Sequence, residues 1–107
     1  MAEVNKIFWL GKSGRTYLYK IYEVGTLFES VPGNFVFARA ITPHRWIPVY
    51  IGETSRMNER FEMRKQWWCI IRYNATHIHV HSGDPDDEKR FAEVSDLLAG
   101  YKTPCNA

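Results

Sequence analysis

Long hydrophobic runs are missing from this sequence. No apolar stretch approaches the ~20 residues of a membrane-spanning helix, so no membrane partner is expected. Charge of one sign is also scarce: 14 Lys and Arg against 12 Asp and Glu leave a net +2. That excludes bulk polyelectrolyte attraction and leaves a local basic patch as the electrostatic route to nucleic acid. Cysteine is limited to Cys69 and Cys105, with no C-x-x-C pair. Two isolated thiols, and no signal-peptide pattern after Met1, lead to the expectation of a reducing, cytoplasmic setting. Repeats and low-complexity segments are absent. What the chain does have is 45% hydrophobic and 15% aromatic residues, the composition of a folded globule. A length of 107 residues fits one domain, residues 1–107, with one modest core.

Lys6 to Leu10 and Thr16 to Val24 are aromatic-rich runs around Gly11-Lys12-Ser13-Gly14, a hairpin with a longer loop. Alternation puts Tyr17, Tyr19 and Ile21 on one face and Leu18, Lys20 and Tyr22 on the other. Aromatics on both faces favour packing over base stacking, so residues 1–30 read as a hairpin extension on a core of residues 31–107. Phe35 to Ala40 and Val49 to Ile51 read as antiparallel strands around a turn at Pro43-His44-Arg45. The expected order is a meander that feeds a helix. Thr76 to His81 alternates Ile78 and Val80 with His77, His79 and His81. Alternate histidines on one side of a pleat have metal-ligand spacing, and a polar sheet face is the simpler reading. Gly83-Asp84-Pro85-Asp86-Asp87 starts a last helix, with an Asp cap and acidic residues at the positive dipole end. Phe91, Val94, Leu97, Leu98 and Tyr101 form its apolar stripe, and Thr103-Pro104 stops it. The fold class expected is α+β: a small, mainly antiparallel sheet flanked by helices, with an N-terminal hairpin.

The stretch Val49-Tyr50-Ile51-Gly52-Glu53-Thr54 is the centre of this pattern. It reads as a buried strand, a turn at Gly52, and a helix from Arg56 to about Arg64 capped by Thr54 or Ser55. Met57, Arg60, Phe61 and Arg64 would share one face of that helix. A second short helix is expected at Trp67-Trp68-Cys69-Ile70-Ile71. Its tryptophans read as core and rim residues, with nucleobase stacking as the alternative. A strand that delivers a tyrosine hydroxyl beside arginines has the makings of a phosphate site.

These residues resemble the GIY-YIG endonuclease family. Tyr50-Ile51-Gly52 with Arg60 ten positions after the tyrosine looks like the second half of its signature. Pro32-Gly33-Asn34-Phe35-Val36-Phe37 looks like the first half, with Phe35 in place of a tyrosine. Asp96-Leu97-Leu98 through Pro104-Cys105-Asn106 resembles the closing helix and terminal asparagine. The resemblance implies metal-dependent hydrolysis of nucleic-acid phosphodiesters, DNA in preference to RNA, with one Mg²⁺ or Mn²⁺. It assigns water activation to Tyr50, phosphate stabilisation to Arg60, and support to Gly52 and Asn106. Three positions depart from the family: Phe35 lacks a hydroxyl, Arg64 stands where many members have histidine or tyrosine, and Val94 stands where the metal-binding glutamate falls. Glu93, or Glu53, would then have to serve as metal ligand, because losing the ion removes several kcal/mol of transition-state stabilisation. The other reading is a catalytically inactive relative that binds nucleic acid or a protein through Arg56, Arg60, Arg64 and Lys65.

Overall fold

Alternating β-branched and aromatic residues set five strands: β1 (Lys6–Leu10), β2 (Thr16–Glu23), β3 (Gly33–Thr42), β4 (Arg45–Thr54) and β5 (His77–Ser82). The computed structural model describes residues 5–106, so the two ends of the expected 1–107 domain lie outside the described residues. All pairings are antiparallel, in the order β1-β2-β5-β3-β4. The α+β class is as expected, but the meander is not. β5 lies between β2 and β3, pairing Lys20 with Val80 on one side and Phe35 with Val80 on the other. The hairpin of β1 and β2 is therefore knitted into the same sheet by a strand from near the far end of the chain.

Period-two alternation divides this sheet into two faces. One carries Phe35, Phe37, Tyr50, Ile78 and Val80. It is covered by a one-turn 3₁₀ helix (Phe61–Met63), the short helix α1 (Trp67–Arg72) and the C-terminal segment. The other carries Trp9, Tyr19, Val36, Ala38 and Ile51, and packs against Leu97 of α2 (Asp87–Gly100). The α2 start matches the sequence expectation: Asp86 is the N-cap, its side chain accepting from the Glu88 amide at 2.9 Å. The expected stripe is less accurate. Phe91 is exposed, while Arg90 and Glu93 are buried with Leu97.

Two local features position the candidate site. Pro48 has no N–H and sits on the edge strand β4, where the register shifts so that Ala38 faces Pro48. The C-terminal segment then covers that edge. The Cys105 amide donates to the Val49 carbonyl at 3.1 Å, and the Asn106 side chain both accepts from and donates to the Ile51 backbone at 2.8 Å. Gly52 does not turn the chain, since β4 runs on through Thr54. Its requirement is close approach: a Cβ there would meet the Phe35 ring at 2.8 Å.

Cys69 and Cys105 are joined by a disulfide, with Cα atoms 5.7 Å apart. This corrects the reading of two isolated thiols and removes that support for a reducing compartment. Among the described residues, no helix is long and apolar enough to cross a membrane.

Candidate nucleic-acid interface

The helix expected over Arg56 to Arg64 does not form. Thr54 Oγ1 accepts from the Arg56 amide at 3.1 Å, so the expected cap closes a tight turn instead. The Met57 amide donates to the Val31 carbonyl at 2.7 Å and its side chain is buried, which holds this residue in the core and away from a helical ladder. Only Phe61–Met63 makes a 3₁₀ turn, and Arg60 before it is extended.

That backbone decides which arginine reaches Tyr50. Arg60 points outward, its side chain 78% exposed, and pairs with Glu62 at 2.9 Å. It lines a different cavity, an apolar groove of about 570 Å³ with Phe28, Phe37 and Phe61. The expected Tyr50–Arg60 pair is thus corrected to Tyr50–Arg64. Arg64 donates to the Tyr50 hydroxyl at 3.3 Å and to the Glu53 carbonyl at 3.2 Å. Its other donors grip the Glu59 carboxylate at 2.6 and 3.0 Å. The guanidinium also lies 5.1 Å from the Phe35 ring centroid. Phe35, which the GIY-YIG resemblance would set at a tyrosine position, is fully buried and serves as that platform. Burial alone would lower the Arg64 pKa and raise that of Glu59, but their mutual bonding outweighs it and moves each the opposite way. Arg64 is therefore a neutralised, positioned cation. Its bond to Tyr50 occupies a lone pair of the phenol and leaves the phenolic proton free to donate elsewhere.

The expected metal ligands lie across the sheet. Tyr50 belongs to the Phe35 face, whereas Glu53 and Glu93 meet α2-face partners. Glu93 accepts from the Tyr19 hydroxyl at 2.5 Å and meets His81 Nδ1 at 2.9 Å. Hydrogen bonding to Glu93 raises the His81 pKa, while burial and the Glu93 charge raise that of Tyr19. Glu53 accepts from Arg90 Nε at 3.1 Å, and Arg90 also donates to the Asp84 carbonyl at 2.9 Å and to Asp87. Val94, which the resemblance would set at the metal-binding glutamate position, packs partly buried against the α2-face core. Both glutamates are thus committed to tying α2 to the sheet, and they do not fit a divalent ion shared with Tyr50. The three histidines do not converge either. His77 Nδ1 faces Thr76 Oγ1 at 2.8 Å, His79 accepts from Trp9, and His81 is held by Glu93.

What remains on the Tyr50 side is a cationic and aromatic surface around α1. Six residues cannot bury two adjacent tryptophans, so Trp67 and Ile70 turn inward while Trp68, 79% exposed, turns out. Arg72 follows Trp68 at i+4, on the same exposed side. Lys65, in the turn before α1, lines an open polar pocket of about 460 Å³ with Tyr50, Gln66, Cys69, Cys105 and Asn106. Among the described residues Lys65 has no ion-pair partner, so its charge is free. Of the four basic residues expected to form one binding face, Arg56, Arg60 and Lys65 are exposed and Arg64 is half-buried. Sequence reasoning did not single out Gln66, which lines this pocket, or Arg72, which is exposed on α1.

No family model, no curated protein and no solved structure matches the chain.

Proposed function

We propose that this domain binds single-stranded nucleic acid, DNA in the first instance, on the surface formed by α1 and the pocket beside Tyr50. A backbone phosphate occupies the pocket, receiving the Tyr50 hydroxyl, the Gln66 amide and the Lys65 ammonium. A neighbouring base stacks on Trp68, with Arg72 along the strand. The observation that supports this most directly is Trp68, 79% exposed with Arg72 one turn away, on the short helix whose Cys69 lines the polar pocket. An exposed indole forgoes its burial energy, and a flat π-face among cations is suited to unpaired bases. The reading is the non-cleaving relative expected as one outcome of the GIY-YIG resemblance.

A fluorescein-labelled oligothymidylate tested by anisotropy gives the measurement. With two to four phosphate contacts, log K should fall with log salt at a slope of roughly −1.5 to −3. Salt-independent binding, or none, removes the reading. Nicking of supercoiled DNA with Mg²⁺ or Mn²⁺ tests the metal-dependent endonuclease implied by the resemblance. The Tyr50–Arg64 contact of 3.3 Å is the observation that favours that second reading. Cleavage lost in Arg64→Ala but kept in Arg60→Ala would establish it at this pocket.

A further inference from the structure

We infer that the Cys69–Cys105 disulfide is a reducible latch on the phosphate pocket, so that the thiol state of the chain sets its grip on the strand. The inference rests on the binding reading above and adds its regulation. Both cysteines line the same pocket as Tyr50 and Lys65. The bridge therefore forms part of the wall that the phosphate would face.

The latch holds an element that cannot hold itself. An isolated helix is marginal below about 12–15 residues, and α1 has six, of which only Ile70 is buried. Its covalent partner is far better fixed. Cys105 bonds to Val49, and Asn106 clasps the Ile51 backbone with both ends of its amide. The disulfide thus ties the helix that carries Trp68 and Arg72 to the edge of the sheet that carries Tyr50. Without it, the two halves of the binding surface are joined by the packing of Ile70 and Trp67 and by Arg64, whose carbonyl accepts from the Trp67 amide and whose guanidinium donates to Tyr50.

The bond is also open to attack. Cys69 is half-buried and Cys105 is buried, so an incoming thiolate reaches the Cys69 sulfur first. A protein or small-molecule dithiol supplies the electrons. Its thiolate attacks Cys69 Sγ, a mixed disulfide forms, and Cys105 leaves as a thiolate. The reductant's second thiol then displaces Cys69, and two protons complete the pair of thiols while the dithiol becomes a disulfide. In a thiol-rich compartment, disulfides that do occur are commonly transient and redox-sensing. Linkage requires reciprocity: if oxidation strengthens strand binding, bound strand must resist reduction to the same degree.

The test uses the full chain and a labelled oligothymidylate, before and after reduction by dithiothreitol, with both thiols counted by alkylation. If reduction leaves the surface assembled in about a tenth of molecules, affinity falls roughly tenfold. Saturating oligonucleotide should slow the appearance of thiols in the oxidised protein. Cys69→Ser should bind like the reduced protein, and circular dichroism of the reduced wild type reports folding independently of that variant. Equal affinity of oxidised and fully reduced folded protein overturns the latch and leaves the binding function standing. If the oxidised protein binds no oligonucleotide, the function falls, and amide exchange over α1 decides the latch. Faster exchange of Trp67–Arg72 on reduction supports it, and unchanged protection overturns it.

Discussion

Acidification should withdraw stability from this domain at His79, and the size of that loss follows from its surroundings. The imidazole is fully buried, with Nδ1 3.1 Å from the indole nitrogen of Trp9. An indole N–H only donates, so Nδ1 accepts and the proton sits on Nε2. Nε2 has no hydrogen-bond partner among the described residues, and the perpendicular ring of Trp46 lies 4.5 Å away. Protonating Nδ1 would set two N–H groups against each other and bury a charge. Burial, helped by the charge of His77, accordingly pushes the His79 pKa down to about 3. The unfolded chain titrates near 6.5, so between those values it binds more protons than the fold, and stability falls as pH falls. At pH 5 the loss relative to neutral pH is about 2 kcal/mol, growing by about 1.4 kcal/mol for each further unit until the folded pKa is reached. Urea titrations of wild type and His79→Gln at pH 7 and pH 5 isolate it, because glutamine offers Trp9 an acceptor without a titrating proton. The difference between the two proteins should shrink by about 2 kcal/mol at pH 5. Parallel pH dependence in the two proteins would refute the buried neutral imidazole.

Three further outcomes are expected. His81 titrates with the opposite sign: its folded pKa is raised by Glu93, so the stabilisation is complete below the ordinary histidine value and is lost as pH rises through the folded one. Glu93→Gln should abolish that alkaline loss in melting curves taken from pH 6 to pH 9. Trp68→Ala should weaken oligonucleotide binding by about 1–3 kcal/mol, roughly 5- to 150-fold, with no fall in melting temperature, because the indole is already exposed. Gly52→Ala should cost about 1–3 kcal/mol in urea unfolding, since its methyl would meet the Phe35 ring at 2.8 Å, and trimming the ring in Phe35→Leu should recover part of the loss.

Local patterns carried the strands and the last helix in a readable form. The alternation of Tyr17, Tyr19 and Ile21 against Leu18 and Lys20 matches the two sheet faces, and Asp86 caps α2 as its composition indicates. Long-range ties were not readable. The insertion of β5 between β2 and β3 depends on which edge it finds, and nothing in residues 77–82 names it. Arg56 to Arg64 has helical periodicity, yet one hydrogen bond from Met57 to Val31, 26 residues earlier, overrides it. That single override moved the site arginine from Arg60 to Arg64. Likewise Cys69 and Cys105 stand 36 residues apart with no motif to pair them, and only the fold of the C-terminal segment brings them together. Buried Glu93 and Arg90 were hidden for a related reason: charged residues read as solvent-facing until their partners, Tyr19, His81 and Glu53, are in place.

The face of the sheet on which each charge lies decides the chemistry more firmly than the identity of the residues. A Mg²⁺ ligand must approach to about 2.0–2.1 Å, and layers packed on opposite sides of a sheet are each about 10 Å from it. Tyr50 leaves the Phe35 side of the sheet and Glu93 approaches the other side from α2, so no rotamer change brings them to one ion. Rotating α2 by one position does not help, because the whole helix packs on the wrong side. Moving Tyr50 to the carboxylate side would take a one-residue slip of β4, which would also turn Ile51 out of its core and break both Asn106 bonds to its backbone. The phenol is therefore fixed among donors: Arg64, which is already neutralised, and the uncommitted Lys65 and Gln66. A pocket that presents donors and one free cation holds an oxyanion by hydrogen bonds and charge. Among the described residues its lining includes no carboxylate to take a proton from water, and the Glu59 carboxylate is held by Arg64, which favours the proposed binding over cleavage.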